Sequence, residues 1–126
     1  MFELKILTHF AAAHQLQMVA KKCENLHGHN WKVEVCVSGD RLNSAGVLID
    51  FGELKARVKQ IIDTLDHTFL NDLNLFDNAP SSENIAVYIA EALAEKLSGT
   101  NVRVRRITTW ESEDACATYY PASPEV

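Results

Sequence analysis

Two stretches of the chain alternate between apolar and polar residues, and both predict β-strands. The first covers residues 2–10 and the second covers residues 29–38, where β-branched side chains dominate. Successive side chains of a strand point to opposite sides, so each stretch has one apolar face. These faces consist of Phe2, Leu4, Ile6, Thr8 and Phe10 in the first stretch and of Trp31, Val33, Val35 and Val37 in the second.

Two later stretches follow the helical period and predict amphipathic helices over residues 51–64 and 82–97. Asp50 is placed to cap the first helix, and Ser81 or Ser82 to cap the second. The apolar stripes are Phe51, Leu54, Val58, Ile61, Ile62 and Leu65 in the first helix and Ile85, Ile89, Leu93 and Leu97 in the second.

The C-terminal part predicts two more strands, joined by a hairpin around residues 112–114. The predicted order is therefore β-β-α-α-β-β, an α+β domain over residues 1–126 with a four-stranded antiparallel sheet and both helices on one face. Such a sheet has two open edges, which native proteins often cover with another subunit. We therefore expect a homo-oligomer.

Composition narrows the class of protein. The chain has 126 residues and a formal net charge of −5, which argues against a nucleic-acid binder because such proteins carry a basic face. No apolar run is long enough for a membrane span, and no secretory signal is evident. Three cysteines cannot all pair within one chain, so we expect free thiols and a cytoplasmic location.

The segment "CENLHGHNW" (23–31) carries the candidate metal chemistry. If a strand begins at or before His27, its ring and that of His29 project from one face and can bind one Zn²⁺. A third ligand must come from His9, His14 or His67. Three histidines with an open fourth position are typical of a catalytic zinc site.

Cys23 lies four residues before His27 among polar neighbours. A thiolate near a metal is favoured and can act as a base or nucleophile. Alternatively, Cys23 is the fourth ligand of a structural zinc site. Cys36 and Cys116 lie in more apolar surroundings and are predicted to be packing residues.

Two carboxylates are further candidates. Asp66 and His67 form an acid–histidine pair after the first helix, which is a plausible proton-transfer element or simply a solvated helix end. Glu111 ends a β-run, where a carboxylate can accept two N–H bonds from an amidine-like group.

Several motifs together resemble the 6-pyruvoyl-tetrahydropterin synthase superfamily. They occur in the family's order over nearly the whole chain: "FAAAH" (10–14), "C-x3-HGHN" (23–30), "LIDF" (48–51), "LDH" (65–67), "SSEN" (81–84) and "TWES" (109–112). The three-residue spacing between Cys23 and "HGH" most resembles the bacterial 6-carboxy-tetrahydropterin synthase branch. The resemblance implies the tunnelling fold, which agrees with the predicted element order.

The resemblance also implies a role for each matching residue. It implies one Zn²⁺ per subunit, held by His14, His27 and His29. Cys23 matches the catalytic base, His67 with Asp66 the proton relay, and Glu111 the acid that anchors the pterin and joins the relay. The segment Ser81, Ser82 and Glu83 aligns with the pterin pocket.

The implied substrate is 7,8-dihydroneopterin triphosphate, and the implied assembly is a hexamer of two stacked trimers with active sites at subunit interfaces. The carboxy branch releases acetaldehyde and triphosphate in queuosine synthesis.

The alternatives are pyruvoyl-tetrahydropterin synthase activity on the same substrate and a non-catalytic zinc- or pterin-binding module. Glu24 stands beside Cys23, and a third branch uses glutamate in place of the cysteine. The cations that would bind the triphosphate are not identified.

Overall fold

The computed structural model describes residues 1–17 and 26–122, except for the side chain of His27. In chain order, the elements are β1 (Phe2–His14), β2 (His27–Gly39), α1 (Phe51–Ile62), β3 (Thr68–Phe69), α2 (Ser82–Lys96), β4 (Arg103–Ser112) and β5 (Ala115–Tyr119). A short 3-10 helix (Leu70–Asp72) follows β3.

The strands form one sheet in the order β3-β1-β2-β4-β5. All pairs are antiparallel except β3, which runs parallel to β1. The predicted α+β class is thus confirmed, but the described part of the sheet has five strands instead of four. A two-residue strand such as β3 is too short to leave a period in the sequence, and its pairing is decided by the tertiary fold.

The apolar face of the sheet forms the core with both helices. Phe10 lies opposite Trp31 and Ile6 opposite Val35, so the two alternating patterns coincide in register. The side chains of this face pack against the apolar stripes of α1 and α2 in one buried cluster. The cluster includes Trp31, Val33, Val35, Leu54, Val58, Ile61, Ile85, Ile89 and Leu93.

Both helices begin where the sequence predicts. A side-chain oxygen of Asp50 accepts a hydrogen bond from the backbone N–H of Glu53 at 3.0 Å, and Ser81 Oγ accepts from that of Asn84 at 3.1 Å. The helices end at residues 62 and 96, slightly before the predicted ends at 64 and 97. Residues 63–67 instead form the turn that leads into β3.

The first strand is longer than its alternating pattern indicates, because it continues through "AAAH" to His14. Its end pairs with the start of β2, with Ala12 opposite His29 and His14 opposite His27. This pairing places the backbones of all three predicted zinc-binding histidines at one end of the sheet. Among the described helices, none is long and apolar enough to cross a bilayer.

The two cysteines that the structure describes differ in environment. Cys36 is buried, as predicted, and this burial raises the pKa of its thiol, although the Arg106 guanidinium opposes the effect. Cys116 is exposed on β5, so its prediction as a packing residue is wrong. Cys116 lies opposite Trp110 on an edge strand, with no further strand beside it among the described residues.

Candidate metal centre

His14 is the most buried polar residue of the candidate site, with no exposed surface. Its Nδ1 atom lies 2.8 Å from the carbonyl oxygen of Pro80, the residue before the α2 cap. Because a carbonyl can only accept, Nδ1 carries the hydrogen, and in the neutral ring the lone pair is on Nε2. A carbonyl contact of this kind orients a metal-binding histidine in many proteins.

His29 lies beside His14 on the neighbouring strand, and both rings contact Trp31. The centroids of the two histidine rings are 5.1 Å apart. The ring centroid of His14 lies 5.1 Å from that of Trp31, and the ring centroid of His29 lies 5.4 Å from it. In each of these pairs the two ring planes are steeply inclined to one another. The fully buried indole therefore forms a fixed wall behind the imidazoles.

Glu111 completes this group. Its Oε1 atom lies 2.9 Å from Nε2 of His14 and 3.2 Å from Nε2 of His29. Glu111 lies where the register of β4 and β5 shifts between Trp110 and Ser112. Such irregularities redirect side chains and are frequent beside active sites.

The three residues fit a divalent metal ion. Their ligand atoms all lie within 4.8 Å of one another, and imidazole nitrogen with carboxylate oxygen is a donor set that zinc accepts. The His14–His29–Glu111 group can therefore hold a metal ion. Of the predicted zinc ligands, the structure brings His14 and His29 together, whereas the side chain of His27 lies outside the described residues. The predicted base Cys23 also lies outside them.

Asp66 and His67 form a second group at the outer edge of β1. One carboxylate oxygen of Asp66 accepts from the backbone N–H of Ala11 at 2.9 Å, and the other lies 3.0 Å from Nδ1 of His67. The Ala11 hydrogen bond, with help from His67, lowers the pKa of Asp66 below its usual value. Asp66 is therefore ionised at neutral pH and holds the adjacent ring by Nδ1.

His67 is exposed in its side chain, at 83%, and its backbone is in the left-handed region at φ 58°. This conformation costs a non-glycine residue roughly 1–3 kcal/mol and persists where surrounding contacts impose it. The backbone N–H of His67 donates to the carbonyl of Ala11 at 2.6 Å, which is one such contact. The imposed conformation holds the ring at the surface.

A shallow depression of about 340 Å³ connects the two groups, since His29 and His67 both line it. Its remaining lining comes from the ends of β1 and β2 and from Thr68. Small residues dominate this lining, namely Ala11, Ala12, Ala13 and Gly28.

Comparison with known proteins decides the family. Residues 3–122 match the model of the family described as 6-pyruvoyl tetrahydropterin synthase. The chain belongs to this family. The match covers both groups of the candidate site and every described element except the first residue of β1.

Individual relatives agree with this assignment. The chain is 42% identical to a protein of Archaeoglobus fulgidus that is provisionally named 6-carboxy-5,6,7,8-tetrahydropterin synthase, over 89% of this chain and 90% of the relative. A relative from Synechocystis carries that name at 42% identity over 68% of this chain and 70% of the relative. A relative from Pyrococcus furiosus is named dihydroneopterin monophosphate aldolase. It is 37% identical over 83% of this chain and 85% of the relative.

The fold assignment is equally direct. The structure of Caenorhabditis elegans 6-pyruvoyl tetrahydropterin synthase superposes with a TM-score of 0.84 over 96% of both chains, at 27% identity. The tunnelling fold expected from the resemblance is thereby confirmed. The family and the relatives' names also establish the chain as a pterin-processing enzyme.

The predicted pterin segment at the start of α2 has structural contacts of its own. Ser81 caps the helix, the carbonyl of Ser82 accepts a hydrogen bond from Thr109 Oγ1 at 2.7 Å, and Glu83 is exposed. The Thr109 contact ties α2 to β4 two residues before Glu111. These three residues do not line the depression between His29 and His67, and their role in pterin binding stays a prediction.

Sequence reasoning did not anticipate that Glu111 contacts the two histidines. The motif indicated a pterin anchor at this position. Glu111 lies about 80 positions after His29, and spacing over such a distance does not reveal which side chains are in contact. The bulge beside Glu111 depends on the pairing of β4 with β5, so no local pattern in the sequence could reveal it.

Proposed function

We propose that this chain is a zinc-dependent lyase that converts 7,8-dihydroneopterin triphosphate into 6-carboxy-5,6,7,8-tetrahydropterin, with release of acetaldehyde and triphosphate. This reaction belongs to queuosine (7-deazaguanine) biosynthesis. The observation that carries the proposal is the joining of His14, His29 and Glu111 in one group, in a chain 42% identical to relatives named for this product.

In this proposal, zinc is held by His14, His29 and the neighbouring His27, with one ion per subunit. Pro80 orients His14 through Nδ1, and Nε2 would be the nitrogen that binds the ion. Zinc supplies Lewis acidity, which polarises the oxygens of the substrate side chain and makes the adjacent protons easier to remove.

The other candidate residues would divide the remaining tasks. Cys23 acts as thiolate and removes a proton from the substrate side chain, and His67 takes or returns a second proton. Asp66 holds the His67 ring through Nδ1, which leaves Nε2 for the exchange. Glu111 accepts the N–H groups of the pterin ring when substrate is bound, because a carboxylate matches a planar amidine-like edge in two hydrogen bonds.

The direct test is incubation of the zinc-loaded protein with dihydroneopterin triphosphate, followed by identification of the products. We expect acetaldehyde together with a carboxypterin. A pyruvoyl pterin without acetaldehyde would instead assign the pyruvoyl activity. A protein that is zinc-loaded and forms no product would be a non-catalytic zinc- or pterin-binding module.

The role of Cys23 has its own test. We expect Cys23→Ala to abolish turnover while zinc stays near one ion per chain. Cys116→Ala is the control, because it removes an exposed thiol on the edge strand β5 that has no role in this proposal, and it should retain full turnover. If zinc were lost together with Cys23, the thiol would be a ligand and the assignment as base would be wrong.

A second candidate is aldolase chemistry on a dihydroneopterin monophosphate. It is favoured by the 37% identical relative from Pyrococcus furiosus, which is named for that activity. Supplying the triphosphate and the monophosphate in parallel separates the two functions. We expect turnover of the triphosphate, and preferential turnover of the monophosphate would assign the aldolase activity.

We also propose a cytoplasmic homo-oligomer, a hexamer built as a dimer of trimers. Two open sheet edges support assembly: residues 2–10 of β1 have a partner strand on only one side within the described sheet, and β5 lies at the opposite edge. Native mass spectrometry tests the subunit number. The acidic net charge of −5 supports a small-molecule substrate over nucleic acid.

A further inference from the structure

Asn71 uses both ends of its side-chain amide to bind the backbone of Gln15. Its Oδ1 atom accepts a hydrogen bond from the backbone N–H of Gln15 at 2.8 Å, and its Nδ2 atom donates to the carbonyl of Gln15 at the same distance. Nδ2 also donates to Oδ1 of Asn78 at 3.1 Å, which holds the amide in its plane. The sequence analysis attached no role to this residue.

The two bonds continue the sheet beyond the point where its backbone partner ends. The short strand β3 pairs with β1 through Ala12 opposite Thr68 and Ala13 opposite Phe69. After Phe69 the chain turns into the 3-10 helix and leaves the edge of β1. A side-chain amide presents an N–H donor and a carbonyl acceptor as a peptide group does. Asn71 therefore replaces the missing strand residue opposite Gln15.

Gln15 directly follows His14, whose Nε2 is directed at Glu111. Strand ends open easily when their backbone groups are unpaired. Holding Gln15 from the outer edge therefore keeps the backbone of His14 in the register that its Pro80 and Glu111 contacts require. The same segment carries His67 at its other end, bound to Ala11. The stretch 66–71 thus runs along residues 11–15, which are the end of β1 and the residue after it.

We propose that Asn71 is a positioning residue for the metal centre: it fixes the end of β1 that carries His14 against the segment that carries His67. This role rests on the proposed function, because it concerns the same zinc site. Asn71 acts through His14 and does not itself touch metal or substrate. Its loss therefore weakens metal binding first, and turnover falls as a consequence.

The test compares Zn²⁺ affinity, measured by competition with a chelator, among the wild type, Asn71→Ala and Asn71→Asp. The aspartate variant keeps the size of the side chain and the oxygen that accepts from the Gln15 N–H. It loses the N–H group that donates to the Gln15 carbonyl and places a negative charge beside that carbonyl. We expect both variants to bind zinc about 10- to 100-fold more weakly, the range for loss of partners outside the ligand set.

Asn101→Ala is the matched control. The Asn101 amide also uses both ends on one residue: Oδ1 accepts from the Arg41 side chain (Nη2) at 3.0 Å, and Nδ2 donates to the Arg41 carbonyl at 3.3 Å. It lies at the other end of the sheet. We expect this variant to bind zinc like the wild type. Thermal melting of the metal-free proteins shows whether the Asn71 variants lose more stability than this control.

Activity supplies a second measurement. At limiting zinc, turnover by the Asn71 variants should fall in proportion to metal loss, and saturating zinc should restore most of it. Because zinc binding also stabilises a folded protein, the melting comparison with Asn101→Ala separates a positioning role from a general loss of stability. Unchanged zinc affinity in Asn71→Ala and Asn71→Asp, or turnover that zinc does not restore, would overturn the positioning role. If the wild type binds zinc yet forms no product from the triphosphate, the proposed function fails while the affinity comparison still decides the role of Asn71.

Discussion

The buried imidazole of His14 is held from both sides, with Glu111 Oε1 2.9 Å from Nε2 and the Pro80 carbonyl 2.8 Å from Nδ1. These contacts join the end of β1 to the bulge in β4 and to the start of α2. Because the Pro80 carbonyl engages Nδ1, Nε2 beside Glu111 is the nitrogen of His14 that would bind a metal ion, which sets the first prediction.

Removal of His14 should remove the metal. We expect His14→Ala to weaken zinc binding by more than the roughly 10- to 100-fold that loss of an outer partner costs, because a ligand itself is lost. His9→Ala is the control, since His9 is exposed on the same strand and was a candidate third ligand by sequence. Chelator competition measures both, and a His14→Ala protein that retains wild-type zinc affinity would contradict the site.

Substitution of Glu111 separates its two candidate roles. We expect Glu111→Gln to keep zinc near one ion per chain and to lower kcat/KM by about 10- to 100-fold, which corresponds to one charge-assisted hydrogen bond of 1.5–3 kcal/mol. The reason is that glutamine cannot accept two N–H groups from the pterin edge. Metal analysis and steady-state kinetics check this, and loss of zinc from Glu111→Gln would make Glu111 a ligand instead.

Asp66 should make stability depend on pH. Its pKa in the folded protein is lowered from the ordinary 3.8, chiefly by the Ala11 hydrogen bond. A carboxyl with a lowered folded pKa stabilises the protein above its unfolded pKa, and this contribution disappears as the pH falls through the folded pKa. The free energy of unfolding should therefore differ between wild type and Asp66→Asn at neutral pH, and the difference should shrink at a pH below 3.8, as the pH falls through the lowered folded pKa. Denaturant titrations at both pH values test this, and a constant difference would refute it.

Substitution of Ser81 tests whether the start of α2 is structural or binds pterin. We expect Ser81→Ala to lose about 1 kcal/mol in the free energy of unfolding, the usual cost of an N-cap. Ser82→Ala should cost less than about 0.5 kcal/mol, because its contact with Thr109 uses the backbone carbonyl. Denaturant unfolding and KM are measured together. A raised KM in Ser82→Ala, with stability unchanged, would support the pterin contact predicted for this segment.

Much of the fold was predictable because its signals are local. Alternation located the cores of β1 and β2, and helical periods located α1 and α2 with their caps at Asp50 and Ser81. Each of these features depends on residues a few positions apart, whose side chains decide which face is buried. The extension of β1 to His14 was not predictable, since "AAAH" has no alternation and becomes strand through pairing with β2.

The sequence by itself determined the order of the elements apart from β3, the buried faces and, through ordered motifs, the candidate residues His14, His29, Asp66, His67 and Glu111. Only the tertiary structure decided which of these meet. Glu111 reaches His14 and His29 because the register of β4 shifts beside it, and Asp66 with His67 joins β1 because a short parallel strand runs along its edge. Register and edge pairing depend on residues far apart in the chain, so local patterns do not encode them.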